Sequence, residues 1–113
     1  MEAKATTKYL RTTARKARLV ANEIRGKWVG DALSLLQFSI KKSVTRDFQK
    51  IIKSAVANMQ SSNTDVAIDT DELKIKTIFV NEGPVLKRFQ AKAQGRAGRI
   101  LKKMCHISVT ISN

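Results

Sequence analysis

Residues 84–103 carry seven cations (Lys87, Arg88, Lys92, Arg96, Arg99, Lys102 and Lys103) and no acid. Apolar side chains are too few in this stretch to build a core of their own. Ordering a residue's backbone costs about 1–2 kcal/mol, so a segment of this length gives up roughly a few tens of kcal/mol of conformational freedom. Local hydrogen bonding offsets part of that loss, and the remainder has to come from an anionic partner. Any fold open to this chain must therefore present the stretch to something outside itself.

The rest of the chain narrows the partner. Its 113 residues suffice for one domain, and 42% of them are apolar, enough for a modest core. Lys and Arg number 22 against 9 Asp and Glu, a formal charge of +13, beyond the magnitude of about 2–8 that keeps a small domain soluble. Residues 1–27 hold Lys4, Lys8, Arg11, Arg15, Lys16, Arg18, Arg25 and Lys27 against Glu2 and Glu23. Residues 41–53 hold five more cations against Asp47, while residues 63–82 reverse the sign with Asp65, Asp69, Asp71, Glu72 and Glu82. A polybasic membrane anchor is one cluster beside an apolar or lipidated segment. Three separate basic stretches suit an anion that surrounds the domain, as folded RNA does.

Other classes fall away. One Cys (Cys105) and one His (His106) exclude an internal disulfide and a four-ligand Cys/His zinc site. Neighbours on a strand point to opposite faces, so these two cannot form a nucleophile–base pair. The acidic residues 65–72 lack the spacing and central Gly of a calcium loop. No apolar run approaches the roughly 20 residues of a membrane span. Residues 1–7 contain nothing like a secretory signal, and the lone Cys is compatible with a reducing compartment.

Periodicity predicts a strand over residues 3–10, then a helix over 14–25 capped by Thr12 or Thr13, with Ala14, Ala17, Val20, Ala21 and Ile24 on one face and Gly26 at its end. Trp28, in the following turn, is expected to pack on the core. A second helix over 31–40 points Ala32, Leu35, Leu36 and Ile40 inward. The strongest pattern is Val44, Phe48, Ile51, Ile52, Ala55, Val56 and Met59, four turns of a third helix. An acidic loop over 63–71 leads to a strand at 73–80, a breaker at Asn81-Glu82-Gly83-Pro84 and a last strand at 106–111. Between the last two strands, Leu, Lys, Arg, Gln and Ala favour helix, and propensity alone predicts two short helices around Gly95-Arg96-Ala97-Gly98. That tetrapeptide also matches the GXXG loop of a KH-like single-stranded RNA-binding module.

Several motifs in register carry a resemblance. Glu82-Gly83-Pro84, Leu86-Lys87-Arg88, Ala93-Gln94-Gly95-Arg96-Ala97, Ile100 through Lys103 and His106-Ile107-Ser108-Val109 recur in this order in the bacterial-type large-subunit ribosomal protein twenty-two family. Ala14-Arg15-Lys16-Ala17-Arg18-Leu19-Val20, Ile24-Arg25-Gly26-Lys27 and Ser54-Ala55-Val56-Ala57-Asn58 are similar to that family's first and third helices. The chain departs from the pattern where Ala91-Lys92 stands for the family's usual Pro-Arg, Cys105 for a small residue such as Ser, and Thr13-Ala14 for Ser-Pro.

The resemblance implies an α+β fold: three helices packed on a small three-stranded antiparallel sheet, with a long protruding β-hairpin. The single domain 1–113 would comprise a globular body, 1–82 and 104–113, and an extended basic hairpin, 83–103. It implies a structural constituent of the large ribosomal subunit that supports assembly and whose hairpin lines the nascent-polypeptide exit tunnel. The expected partners are large-subunit rRNA, neighbouring ribosomal proteins and, transiently at the hairpin tip, the nascent peptide; no membrane, cofactor, metal or catalytic residue is expected. The rRNA contacts are expected from Arg11, Arg15, Lys16, Arg18, Arg25 and Lys27, and on the arm from Lys87, Arg88, Lys92, Arg96, Arg99, Lys102 and Lys103. Phe89, Gln90, Ala91 and Lys92 would face the tunnel, and Gly95 and Gly98 would let the arm bend. A cytoplasmic ribosome is expected, with an organelle ribosome left open.

Overall fold

The computed structural model describes residues 2–39, 42–62, 70–91, 93–95 and 97–113. The expectations for Ile40, the acidic residues 63–69, Lys92 and Arg96 lie outside the described residues. Among those described, the order is β1 (Glu2–Leu10), α1 (Ala14–Ile24), α2 (Val29–Gln37), α3 (Lys42–Ser62), a 3₁₀ turn (Thr70–Glu72), β2 (Lys74–Ala91), a second 3₁₀ turn (Ala93–Gly95) and β3 (Ala97–Ser112). The sheet is antiparallel in the order β1-β3-β2. The chain is therefore α+β, with three helices on a three-stranded sheet and β2 and β3 extending into a long hairpin.

The helices form where apolar side chains recur at helical spacing. Thr13 caps α1 by accepting the Lys16 N–H at 3.3 Å, and the predicted inward face is buried at every position. In α3 the buried side chains are Val44, Phe48, Ile51, Ile52, Ala55 and Met59, with Val56 half-buried. These pack against Ile107, Val109 and Ile111 of β3 and Ile75, Ile78 and Val80 of β2 in one core. Each large side chain so buried contributes about 1.5–3 kcal/mol. A register shift between Ile75 and Thr77 lets Ile75 and Ile78, three apart, both face this core.

Trp28 corrects an expectation. Its side chain is 49% exposed, because its backbone bridges Lys74 at the start of β2. Val29 N–H donates to Leu73 O at 2.9 Å, and Ile75 N–H to Lys27 O at 3.0 Å. This pairing turns the indole outward, where the Lys74 ammonium lies 5.7 Å from the ring centroid.

Residues 85–91 and 97–103 are strands, not the helices that local propensity favours. Pairing runs without interruption from Val85↔Lys103 to Ala91↔Ala97. Non-local backbone pairing overrides a weak local preference. The KH-like alternative fails on the same observation, since GXXG clamps RNA between helices and here strands flank it, with Ala97 and Gly98 already paired in β3. Gly98 sits opposite Gln90 inside the ladder, so the chain reverses at Gln94 (φ 63°) and Gly95 (φ 75°) instead.

Eleven residues separate Val80, the last buried residue of β2, from the end of that strand at Ala91, about 36 Å at 3.3 Å each. The molecule measures 66 × 26 × 16 Å, with a radius of gyration of 17.3 Å. A compact chain of this length has about 13 Å. The excess is the arm.

Candidate nucleic-acid interface

The arm's register distributes its charge. Cross-strand partners share a face, and successive residues alternate between faces. Leu86, Arg88, Ile100 and Lys102 therefore share one face, and Val85, Lys87, Phe89, Arg99, Leu101 and Lys103 the other. Both faces are cationic, and Phe89, opposite Arg99, is 73% exposed. The reversal lies beyond the Ala91↔Ala97 pair, so Phe89, Gln90 and Ala91 form the last paired rungs below it.

The arm's root is built from two irregularities on either side of β3. On one side, Gly83 and Pro84 bulge out of β2 between the pairs Glu82↔Cys105 and Val85↔Lys103. Pro84 has no N–H to offer a ladder and is tolerated there. A Cβ on Gly83 would come within 3.2 Å of the His106 ring and 3.3 Å of the Met104 carbonyl carbon. On the other side, β1 shifts register between Thr7 and Leu10, with Tyr9 at φ 59°. The Tyr9 N–H donates to His106 Nδ1 at 3.0 Å, and the two rings meet edge to face with centroids 5.0 Å apart. His106 thus ties the end of β1 to the bulge of β2. Cys105, its neighbour, is buried in the core on the opposite face, where burial, and secondarily the charge of Asp47, push its thiol above the usual range against a smaller opposing pull from Arg18.

The cations on and beside α1 divide into three groups. Arg18 donates through Nε and Nη2 to Val80 O at 3.2 and 3.0 Å. Arg25 donates through Nη2 to Ile78 O at 3.0 Å and through Nη1 to Asn22 Oδ1 at 2.6 Å. Alternate carbonyls of β2 point away from β3, and these two guanidinium groups cover that free edge. Sequence reasoning placed both among the RNA contacts. Their intramolecular role was invisible there because the acceptors are backbone atoms more than 50 residues away. Arg15 and Lys27 are exposed.

Arg11 and Lys16 form the third group. Pairing with β1 stops at Leu10↔Cys105, and the chain turns back, Thr12 N–H donating to Leu10 O at 2.9 Å. Beyond that point no strand among the described residues pairs with the β1-facing edge of β3. Arg11, Thr12, Thr13 and Lys16 line a groove of about 430 Å³ there, together with Ser43 and Val44 of α3 and Leu101, Lys102 and Lys103 of β3. Candidates from two distant basic stretches thus meet in one concavity. No carboxylate is found among the described residues that line it.

A small body with its own core, two arginines bonded along a sheet edge and an arm cationic on both faces define a class: proteins whose surface suits folded RNA. The family model described as ribosomal protein L22p/L17e matches residues 5–112 of the chain, and the chain belongs to this family. It is a large-subunit ribosomal protein that binds rRNA and has other ribosomal proteins as neighbours, and the family is a structural one. Among the described residues no helix is long and apolar enough to cross a membrane.

Proposed function

We propose that the body, 1–82 and 104–113, docks on large-subunit rRNA, supports its assembly, and directs the arm, 83–103, along the nascent-polypeptide exit tunnel. The body's contacts come from Arg11, Arg15, Lys16, Arg18, Arg25 and Lys27. Those of the arm come from Lys87, Arg88, Lys92, Arg96, Arg99, Lys102 and Lys103. Phe89, Gln90, Ala91 and Lys92 meet the passing peptide in the ribosome. The observation that carries this reading is the two-faced charge of the arm. A strand pair lying on one surface needs cations on one face only, whereas one threaded between RNA walls needs them on both. Neutralising 6–10 phosphates makes affinity fall roughly 10³–10⁵-fold between 50 and 200 mM salt, by analogy with DNA.

The test is a photo-crosslinker at Phe89 in ribosomes carrying a stalled, radiolabelled nascent chain. Label transfer to this protein from a tunnel-length peptide is the expected outcome. Crosslinks confined to rRNA, with none to the peptide at any chain length, would refute the tunnel assignment while leaving rRNA binding intact.

A further inference from the structure

We propose that the groove at the arm's root is a seat for an unpaired RNA segment, its phosphodiesters held by Arg11, Lys16 and Lys103 and one sugar or base laid on Leu101. The inference rests on the rRNA-binding reading and names what part of the RNA sits at this site. Four observations support it. The cations arrive from the β1–α1 link, α1 and β3, so the fold gathers charges that repel one another, with no lining carboxylate among the described residues. α1 and α3 both begin at this groove, and neither has an acid in its first turn, whereas α2, which begins elsewhere, has Asp31. An acid there would ordinarily complement the helix dipole, and its absence leaves the field for an outside anion. Leu101, 49% exposed, places an aliphatic surface among the cations. A volume of about 430 Å³ falls within the roughly 300–1,000 Å³ of sites that enclose a small organic ligand. That is room for a nucleotide, and the wide cylinder of a duplex meets only the rim. The remaining polar groups are the hydroxyls of Thr12, Thr13 and Ser43, which donate or accept indifferently, so recognition is independent of sequence.

Generic attraction between a polycation and RNA is the competing explanation, and charge-matched variants separate the two. The full-length chain is titrated by fluorescence anisotropy against labelled octauridylate and against an eight-base-pair RNA duplex at about 150 mM salt, where the screening length is about 8 Å. The double variant Arg11→Gln/Lys103→Gln should lose about tenfold or more in octauridylate affinity, while Lys50→Gln/Lys53→Gln, the same charge removed from the exposed side of α3, should lose about twofold. Leu101→Ser, which changes no charge, should reduce the preference for octauridylate over duplex severalfold. All substituted side chains are exposed, and circular dichroism verifies the fold. Equal losses in the two double variants, or a Leu101→Ser protein with unchanged preference, would overturn the groove while wild-type binding to isolated large-subunit rRNA continued to support the broader reading. Failure of the wild type to bind that rRNA would remove both.

Discussion

At the scale of single residues, the same side-chain type does opposite jobs on one helix. Arg15, Arg18 and Arg25 are all exposed, and Arg18, one turn on from Arg15, and Arg25 are also bonded to the carbonyls of Val80 and Ile78. A hydrogen bond with one charged partner is worth roughly 1.5–3 kcal/mol, less where water can replace it. Arg18→Ala should therefore destabilise the free protein by about 1–2 kcal/mol, and Arg15→Ala by less than about 0.5 kcal/mol, read from urea midpoints. Equal midpoints would mean that Arg18 is not holding the sheet edge. Cys105 gives a pH-dependent prediction. Its folded thiol titrates above the ordinary value because burial disfavours the thiolate. The folded state then retains a proton that the unfolded state releases. The thiol's contribution is complete below about pH 8.5 and is lost as pH rises above it. Wild-type stability should fall more steeply than that of Cys105→Ala between pH 8 and 10. Parallel curves would contradict the burial argument.

At the scale of elements, one register shift, between Ile75 and Thr77, serves the core, and two more gather at the arm's root. Two bulges there, on opposite edges of β3, converge on His106. The Tyr9 N–H can only donate, so Nδ1 is unprotonated in this bond and the ring acts as an acceptor. Asn carries its amide oxygen at the position of Nδ1, and Gln carries its own one bond further out. His106→Asn should therefore keep the Tyr9 amide protected from hydrogen exchange, and His106→Gln should lose protection by about tenfold, or roughly 1 kcal/mol. Gly83→Ala tests the other side of the same root. Its Cβ meets backbone at Met104 as well as the ring, and overpacking of this kind costs about 1–3 kcal/mol, measurable as a lowered thermal midpoint. A variant as stable as the wild type would show that the bulge relaxes freely.

At the scale of the whole molecule, the core ends at the root. Val80 and Cys105 are the last buried side chains of β2 and β3 on the way out. Replacing residues 86–102 by a two-residue Asn-Gly turn closes the hairpin at the Val85↔Lys103 pair. This variant should unfold cooperatively with a midpoint near that of the wild type, and loss of cooperative unfolding would make the arm part of the core. Much of this body was legible in the chain, because the inward faces of α1 and α3, the Thr13 cap and the alternation of His106 through Ile111 are written at spacings of a few residues. The exposure of Trp28, the inward pairing of Ile75 with Ile78, the engagement of Arg18 and Arg25, and the strand state of a helix-favouring arm were not. Each depends on a partner far along the chain: Trp28 on Lys74, Ile78 on Val109, Arg18 on Val80, Phe89 on Arg99 only through the reversal. Sequence alone therefore determined where charge accumulates and which segments can bury themselves, since both follow from side-chain chemistry at short range. Tertiary structure alone decided which cations bond the sheet edge and which residues from distant segments line one groove, since that is a matter of which backbone atoms distant pairing leaves without a neighbour.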